Sequence, residues 1–397
     1  MTALATSTVI LAAGCGADEP APQNGSAGSD RPHGYVEGAK EKSEPQIALA
    51  VAARNGKKLS FLDPAEESTV TVDLTTEAQR LDEDGRFVYV IDGDTLEVVD
   101  SGGWTVDHGD HVHYYRATTE PLGTLTVPAA VTTVSGADEI TAVGARGGSV
   151  TVLDRRGLEN GSAPRPISTI DTRSSAGFAV PYADGLVLGL GDGPDRPASR
   201  VVFTDRDGNP RRPAQPCVDP QGPALLRNAV AVSCAEAIIL FTDRGGEVAA
   251  QVLDYGRRGP RAGAFGVRPR SNRAVAATAA GSWLLDSSAG SLRWVPSADR
   301  LSAALAPGRD ETLIVLTDDG ELRTLAVDPA TGAGRPVATA GASAGMAGKV
   351  LTADTGRAYL SEPTARAVHE FDYGDSLRRT RTLPVDVEPE LMVEVGR

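Results

Sequence analysis

The sequence predicts an all-β fold, a β-propeller of seven or eight blades behind a disordered N-terminal tether. Three observations carry that reading. Short apolar runs ending in Asp recur along the chain, and a second apolar run precedes each of them. No segment holds a 3.6-residue apolar period over helical length.

The repeat is explicit in the residues. Leu59-Ser60-Phe61-Leu62-Asp63 and Leu96-Glu97-Val98-Val99-Asp100 come first, and similar endings fall at Asp154, Asp205, Asp243, Asp286, Asp328 and Asp372. Neighbouring aspartates stand 37 to 54 residues apart, most of them near 40, which is the length of a blade of four antiparallel strands. An Asp opening a turn is expected, because its carboxylate accepts from backbone N–H groups that the hairpin leaves free. The preceding runs include Phe87-Val88-Tyr89-Val90-Ile91 and Thr312-Leu313-Ile314-Val315-Leu316, with turn signals such as Asp92-Gly93 and Asp319-Gly320 between strands. Eight repeats fit eight blades, or seven if the terminal repeats share one blade to close the ring.

Composition agrees and excludes some function classes. Hydrophobic residues make up 41% of the 397 and aromatics only 5%, so the core must be built from Val, Leu, Ile and Ala. The 44 Gly and 26 Pro suit many tight turns. A net charge of −14 argues against nucleic acid and against electrostatic binding to an anionic membrane, and it favours solubility and cations. Five of the 39 basic residues are Lys, an Arg bias common in GC-rich bacterial genomes. Beyond the N-terminus no apolar stretch reaches the ~20 residues a spanning helix needs.

The three cysteines divide into one and two. Cys15 ends Leu11-Ala12-Ala13-Gly14-Cys15 after the apolar run Val9-Ile10-Leu11. That pattern resembles a bacterial lipobox, which implies an export signal over 1–15 and lipidation of Cys15. No basic residue precedes the apolar run, a departure from the usual signal. Residues 16–45 are rich in Gly, Ala, Ser, Pro, Asp and Glu and read as a flexible linker, with the propeller over 46–397. An exported chain with Cys217 and Cys234 left over is expected to join them in a disulfide. The expected location is therefore extracytoplasmic, lipid-anchored at the outer face of the cell membrane of a bacterium.

One cluster carries chemistry. Of five histidines, His108, His111 and His113 fall within six residues, in Trp104-Thr105-Val106-Asp107-His108-Gly109-Asp110-His111-Val112-His113-Tyr114-Tyr115. His111 and His113 are two apart, so on a strand both rings leave the same face. Gly109 permits a turn that folds His108 back beside them. Asp107 and Asp110 are placed either to ligate or to accept the second ring N–H of a ligating histidine. Imidazoles backed by carboxylates suit Zn²⁺, and copper or nickel less distinctively. His369, in Val368-His369-Glu370-Phe371-Asp372, sits on a repeat strand and reads as a packing residue.

The stretch from Ser101 to Tyr115, together with His33-Gly34-Tyr35-Val36-Glu37-Gly38-Ala39, resembles the AztD-type zinc metallochaperones of bacterial zinc-uptake systems. The resemblance implies an extracytoplasmic propeller that binds Zn²⁺ and passes it to the solute-binding protein of an ABC importer. It carries over to His108, His111 and His113 and, in the N-terminal segment, to His33 as a mobile ligand. Where later blades of that family would align further histidines, this chain reads Ser175-Ala176-Gly177, Pro220-Gln221-Gly222 and Ala347-Gly348-Lys349. The expected molecule is a monomer that touches the membrane through its lipid anchor only. No nucleophile elbow, nucleotide-phosphate loop or ring of acidic ligands with His partners points to an enzyme, so a propeller hydrolase or lactonase ranks last among the readings. The competing reading is a surface-anchored scaffold whose propeller face binds a protein or cell-wall component.

Overall fold

Each repeat folds as a four-stranded antiparallel sheet, and the recurring aspartates mark the same place in all of them. The computed structural model describes residues 37–108, 111–256, 259–268, 271–308, 311–341 and 349–397. Among these, eight four-stranded sheets form the blades of a propeller. Counted outward from the axis, the run that ends in Asp is the third strand, as in Gly56–Asp63, Thr95–Asp100, Ser149–Asp154 and Ala237–Asp243. The carboxylate then caps the turn to the outer strand. Asp63 Oδ1 accepts from the N–H groups of Ala65 and Glu66 at 2.9 and 3.1 Å, and Asp328 Oδ1 from those of Ala330 and Thr331 at 2.9 and 2.7 Å. Segments 1–15 and 16–36, with Cys15 and His33, lie outside the described residues.

The second strand of each blade reads as an unbroken apolar run because both of its faces are buried. In Ala48–Ala52 the residues Ala48, Ala50 and Ala52 pack toward blade 2 against Val88 and Val90, while Leu49 and Val51 pack toward blade 8 against Tyr359 and Val368. Blade 5 repeats the pattern: Val230 and Val232 face blade 4, and Ala229 and Ala231 face blade 6. An antiparallel sheet with one wet face would alternate apolar and polar instead. The blades therefore stabilise one another only as neighbours in a ring.

Closure uses both ends of the chain. The last strand, Leu391–Val395, pairs with Ala48–Ala52 and supplies the inner strand of blade 1, with Ala48 opposite Val395 and Ala52 opposite Leu391. Eight aspartates thus correspond to eight blades, which decides between the seven and eight left open by the sequence. Beyond that strand Arg397 ion-pairs with Glu83, on the inner strand Arg80–Glu83 of blade 2, and donates to the Glu394 carbonyl at 2.7 Å. The Gly396 N–H bonds Gly85 O at 2.7 Å. The inner-strand side of blades 2 to 6 lines an open cavity of about 1150 Å³, whose wall includes Asp84, Asp107, Tyr182, Asn228, Phe265 and Arg397.

The expected disulfide is present. Cys217 and Cys234 are joined with their Cα atoms 5.0 Å apart, and both lie in the core between blades 4 and 5. The outer strand of blade 4 is only Gln215–Pro216, so the covalent link ties down a blade with little edge pairing. A loop of this length contributes on the order of 3 kcal/mol, and the bond fits an extracytoplasmic compartment.

One element leaves the ring. Between the third and fourth strands of blade 2, Gly103–Asp107 and Val112–Arg116 form a hairpin, and Lys40–Lys42 pairs with Val112–Arg116 as a third strand. Paired structure is thus present ahead of Gln46. The tether expected to run to residue 45 contains this strand, because Lys40 to Lys42 find backbone partners in Arg116 to Tyr114 that lie far away in sequence.

Ring closure carries a pH signature. Glu394 is 3% exposed, its Oε2 is buried without a hydrogen-bond partner, and burial, partly offset by the Arg397 charge, pushes its pKa from 4.5 up to about 7. Between those two values the folded chain holds a proton that the unfolded chain has released, so stability falls as pH rises through that window. Replacing Glu394→Gln should remove this loss. Urea unfolding of both proteins at pH 4.5 and pH 8 is expected to show the variant gaining on the wild type by about 3 kcal/mol at the higher pH.

Candidate metal centre

The hairpin's root is fixed by two glycines and a buried ion pair. Gly102 has φ +73°, and a Cβ there would stand 2.5 Å from the carbonyl oxygen of Ala117; one at Gly103 would meet Gln46 O at 2.9 Å. The Gly102 N–H donates to Asp100 Oδ1 at 2.9 Å, and the Ala117 N–H returns to Gly102 O at 2.6 Å. Asp100, the capping aspartate of blade 2, also takes the Arg86 guanidinium, with Nη2 at 2.7 Å and both groups nearly buried. The repeat's turn cap thereby anchors the inserted hairpin.

From that root an aromatic column leads to the histidines. The Arg86 guanidinium carbon lies 3.8 Å from the Trp104 ring centroid, a cation–π contact. Trp104 stacks on its cross-strand partner Tyr115 at 5.3 Å, and Tyr115 is stacked against His113 at 6.2 Å. Tyr115 is 2% exposed. Burial, and then the Glu41 carboxylate, push its phenol above the ordinary value, so it stays a neutral wall of the site.

Strand alternation brings the three imidazoles together. Val106 is opposite His113 and Asp107 is opposite Val112. His108 then faces His111 across the turn, with the His108 N–H donating to His111 O at 3.0 Å. Positions 104, 106 and 108 on one strand share a face with 111, 113 and 115 on the other. His108 and His111 are therefore a cross-strand pair, and His113 is the diagonal neighbour of His108. Ring centroids lie 5.0 Å apart for His108–His111 and His111–His113 and 5.3 Å for His108–His113. One nitrogen from each ring falls within 4.8 Å of the others. The rings of His108 and His111 are exposed, while the His113 side chain is only 12% exposed.

Other expected participants are placed differently. Asp107 is on the opposite face by the same alternation, where it lines the central cavity, and it is not among the three convergent side chains. Asp110 and His33 lie outside the described residues. His369, on Ala367–Asp372 of blade 8, bonds Thr382 Oγ1 at 3.1 Å and packs edge-on to Phe371; burial lowers its pKa. It is a packing residue, outside the cluster.

Sequence reasoning missed Glu41. Its Oε1 stands 2.6 Å from His113 Nδ1, across 72 residues of chain. Nothing in Lys40-Glu41-Lys42 signals a pairing partner, since three residues carry no period.

Fold and site together define an eight-bladed propeller that presents a histidine triad on a hairpin at the edge of its central cavity. No protein-family model and no curated protein matches the chain. Among solved structures it is similar to AztD from Citrobacter koseri. The apo form gives a TM-score of 0.74 and 18% identity over 89% of this chain and 98% of AztD; a second AztD structure gives 0.73 and 19% over the same shares. A weaker likeness, TM-score 0.54 and 14% identity over 89% of this chain and 76% of the other, is to dihydro-heme d1 dehydrogenase NirN in complex with DHE. At such identities the likeness is one of fold, and it is the fold that the sequence resemblance implied.

The hairpin root makes a specific prediction. Gly102→Val would force a side chain into the Ala117 carbonyl at a positive φ, at a cost of about 1–3 kcal/mol. Near-UV circular dichroism from the Trp104–Tyr115 stack is expected to change while the far-UV β signal of the ring persists.

Proposed function

We propose that this chain is an extracytoplasmic zinc-handling protein, which holds Zn²⁺ transiently on His108, His111 and His113 and passes it to the solute-binding protein of an ABC importer. The observation that carries the reading is the convergence of three ring nitrogens within 4.8 Å on one face of a hairpin. Neutral imidazoles are favoured zinc ligands, and three of them leave a tetrahedral ion one open position. An open, exposed position is what transfer needs: an incoming ligand from a partner enters before the last histidine leaves, so the ion is never set free. Exposure of His108 and His111 at the hairpin tip supports such an approach.

The cargo and the partner class come from the resemblance to AztD-type proteins, which the shared fold supports. The three later-blade positions where the resemblance would align further histidines carry none, so the triad works as a self-contained set of ligands. The negative net charge favours cation approach at low ionic strength. Anchoring through a lipid on Cys15 would keep the protein beside a membrane importer.

Titrating the chelator-treated protein with Zn²⁺ tests the reading. One equivalent should bind to the wild type, and none to a variant with His108, His111 and His113 all changed to Ala. Single changes should weaken binding by more than the 10–100-fold that loss of an outer hydrogen-bond partner costs. His108 and His111 are exposed, so His108→Ala and His111→Ala should unfold at the wild-type temperature. Equal indifference of wild type and triple variant to zinc would leave a scaffold and overturn the metal reading.

A further inference from the structure

We propose that Glu41 is a positioning residue of the metal centre, and that the strand carrying it makes zinc affinity depend on whether the N-terminal segment is docked on the hairpin. The inference rests on the zinc reading above and adds a residue from outside the histidine motif.

The geometry is that of a diagonal cross-strand contact. Glu41 pairs with Tyr115, so its side chain leaves the same face as Tyr115 and His113, and a long side chain spans the diagonal to the next residue on that face. Its Oε1 reaches His113 Nδ1 at 2.6 Å. A carboxylate can only accept, so the Nδ1 of the neutral ring must carry the hydrogen. That leaves the lone pair on Nε2, the tautomer in which a carboxylate behind a histidine orients the ring and raises its basicity toward a metal. His113 is the most enclosed of the three imidazoles, which makes it the ring whose orientation is set by its neighbours.

The second half of the inference concerns the strand. Lys40–Lys42 is three residues long, all exposed, and is held by backbone pairing to Val112–Arg116 on one side. Such a strand buries almost nothing, so its docking is weak beside the propeller's own strands, and local opening there is easy. When it leaves, Glu41 leaves with it and His113 loses the group that fixes its tautomer. Zinc would thus be held more tightly with the strand paired than with it displaced, and a partner that draws away the N-terminal segment would loosen the ion as it accepts it.

Three variants of the full chain, each titrated with Zn²⁺ against a competing chelator, test this. Glu41→Gln removes the carboxylate, Lys42→Pro removes a strand N–H while keeping Glu41 in place in the sequence, and Lys42→Ala changes the opposite face. Glu41→Gln and Lys42→Pro should each weaken binding by roughly 10–100-fold, with Lys42→Ala close to the wild type. In the metal-free protein, ¹⁵N NMR of the imidazoles should show His113 protonated on Nδ1, with that preference lost in Glu41→Gln. Wild-type affinity in Glu41→Gln, or an Nε2-protonated His113 in the wild type, would overturn the proposal while leaving the triad intact. A wild type that binds no zinc would overturn the triad reading itself, and the metal-free tautomer would still report on the Glu41–His113 contact.

Discussion

The structure depends on burying both faces of each blade's second strand. A sheet that is apolar on two sides has no face to offer water, so no blade is stable alone, and each needs a neighbour on either hand. Only a closed ring meets that demand for every blade at once. The pairing of Leu391–Val395 with Ala48–Ala52 is therefore the step on which the other contacts rest. Arg397 then fastens the joint by reaching the half-buried carboxylate of Glu83 in the next blade. Charge has been placed inside the molecule at this seam, and the seam is accordingly where pH acts on the fold.

With the ring self-sufficient, an insertion can be tolerated wherever it does not interrupt inter-blade packing. The hairpin of Gly103–Asp107 and Val112–Arg116 emerges at the turn to the outer strand of blade 2, where the ring asks only for a connection. It inherits rigidity from the repeat, since the aspartate that caps an ordinary turn elsewhere here also holds Arg86, and Arg86 lies over Trp104. Stacking through Tyr115 carries that rigidity to His113. The site thus has a firm base and an exposed tip, the combination a binder needs if it must also let go.

Much of this was legible in the residues. The spacing of Asp63 through Asp372 gave the blade period because a turn cap is a local device, satisfied by N–H groups two or three positions on. His111 and His113 could be assigned to one face because strand alternation is also local; the turn expected at Gly109 lies outside the described residues. Asp107 follows the same alternation, which places it on the cavity side of the hairpin, opposite the face of the histidines. Glu41 was out of reach, because it meets His113 through a pairing between segments 72 residues apart.

The sequence by itself determined the all-β class, the repeat, the disulfide partners and the three convergent histidines, since each follows from short-range rules of periodicity, turn chemistry and pairing by elimination. Tertiary structure alone decided the number of blades, the strand that closes the ring, the side on which Asp107 falls, and the carboxylate behind His113. Those outcomes turn on which distant segments become neighbours, and a chain's local preferences do not encode that until the cores between blades have formed.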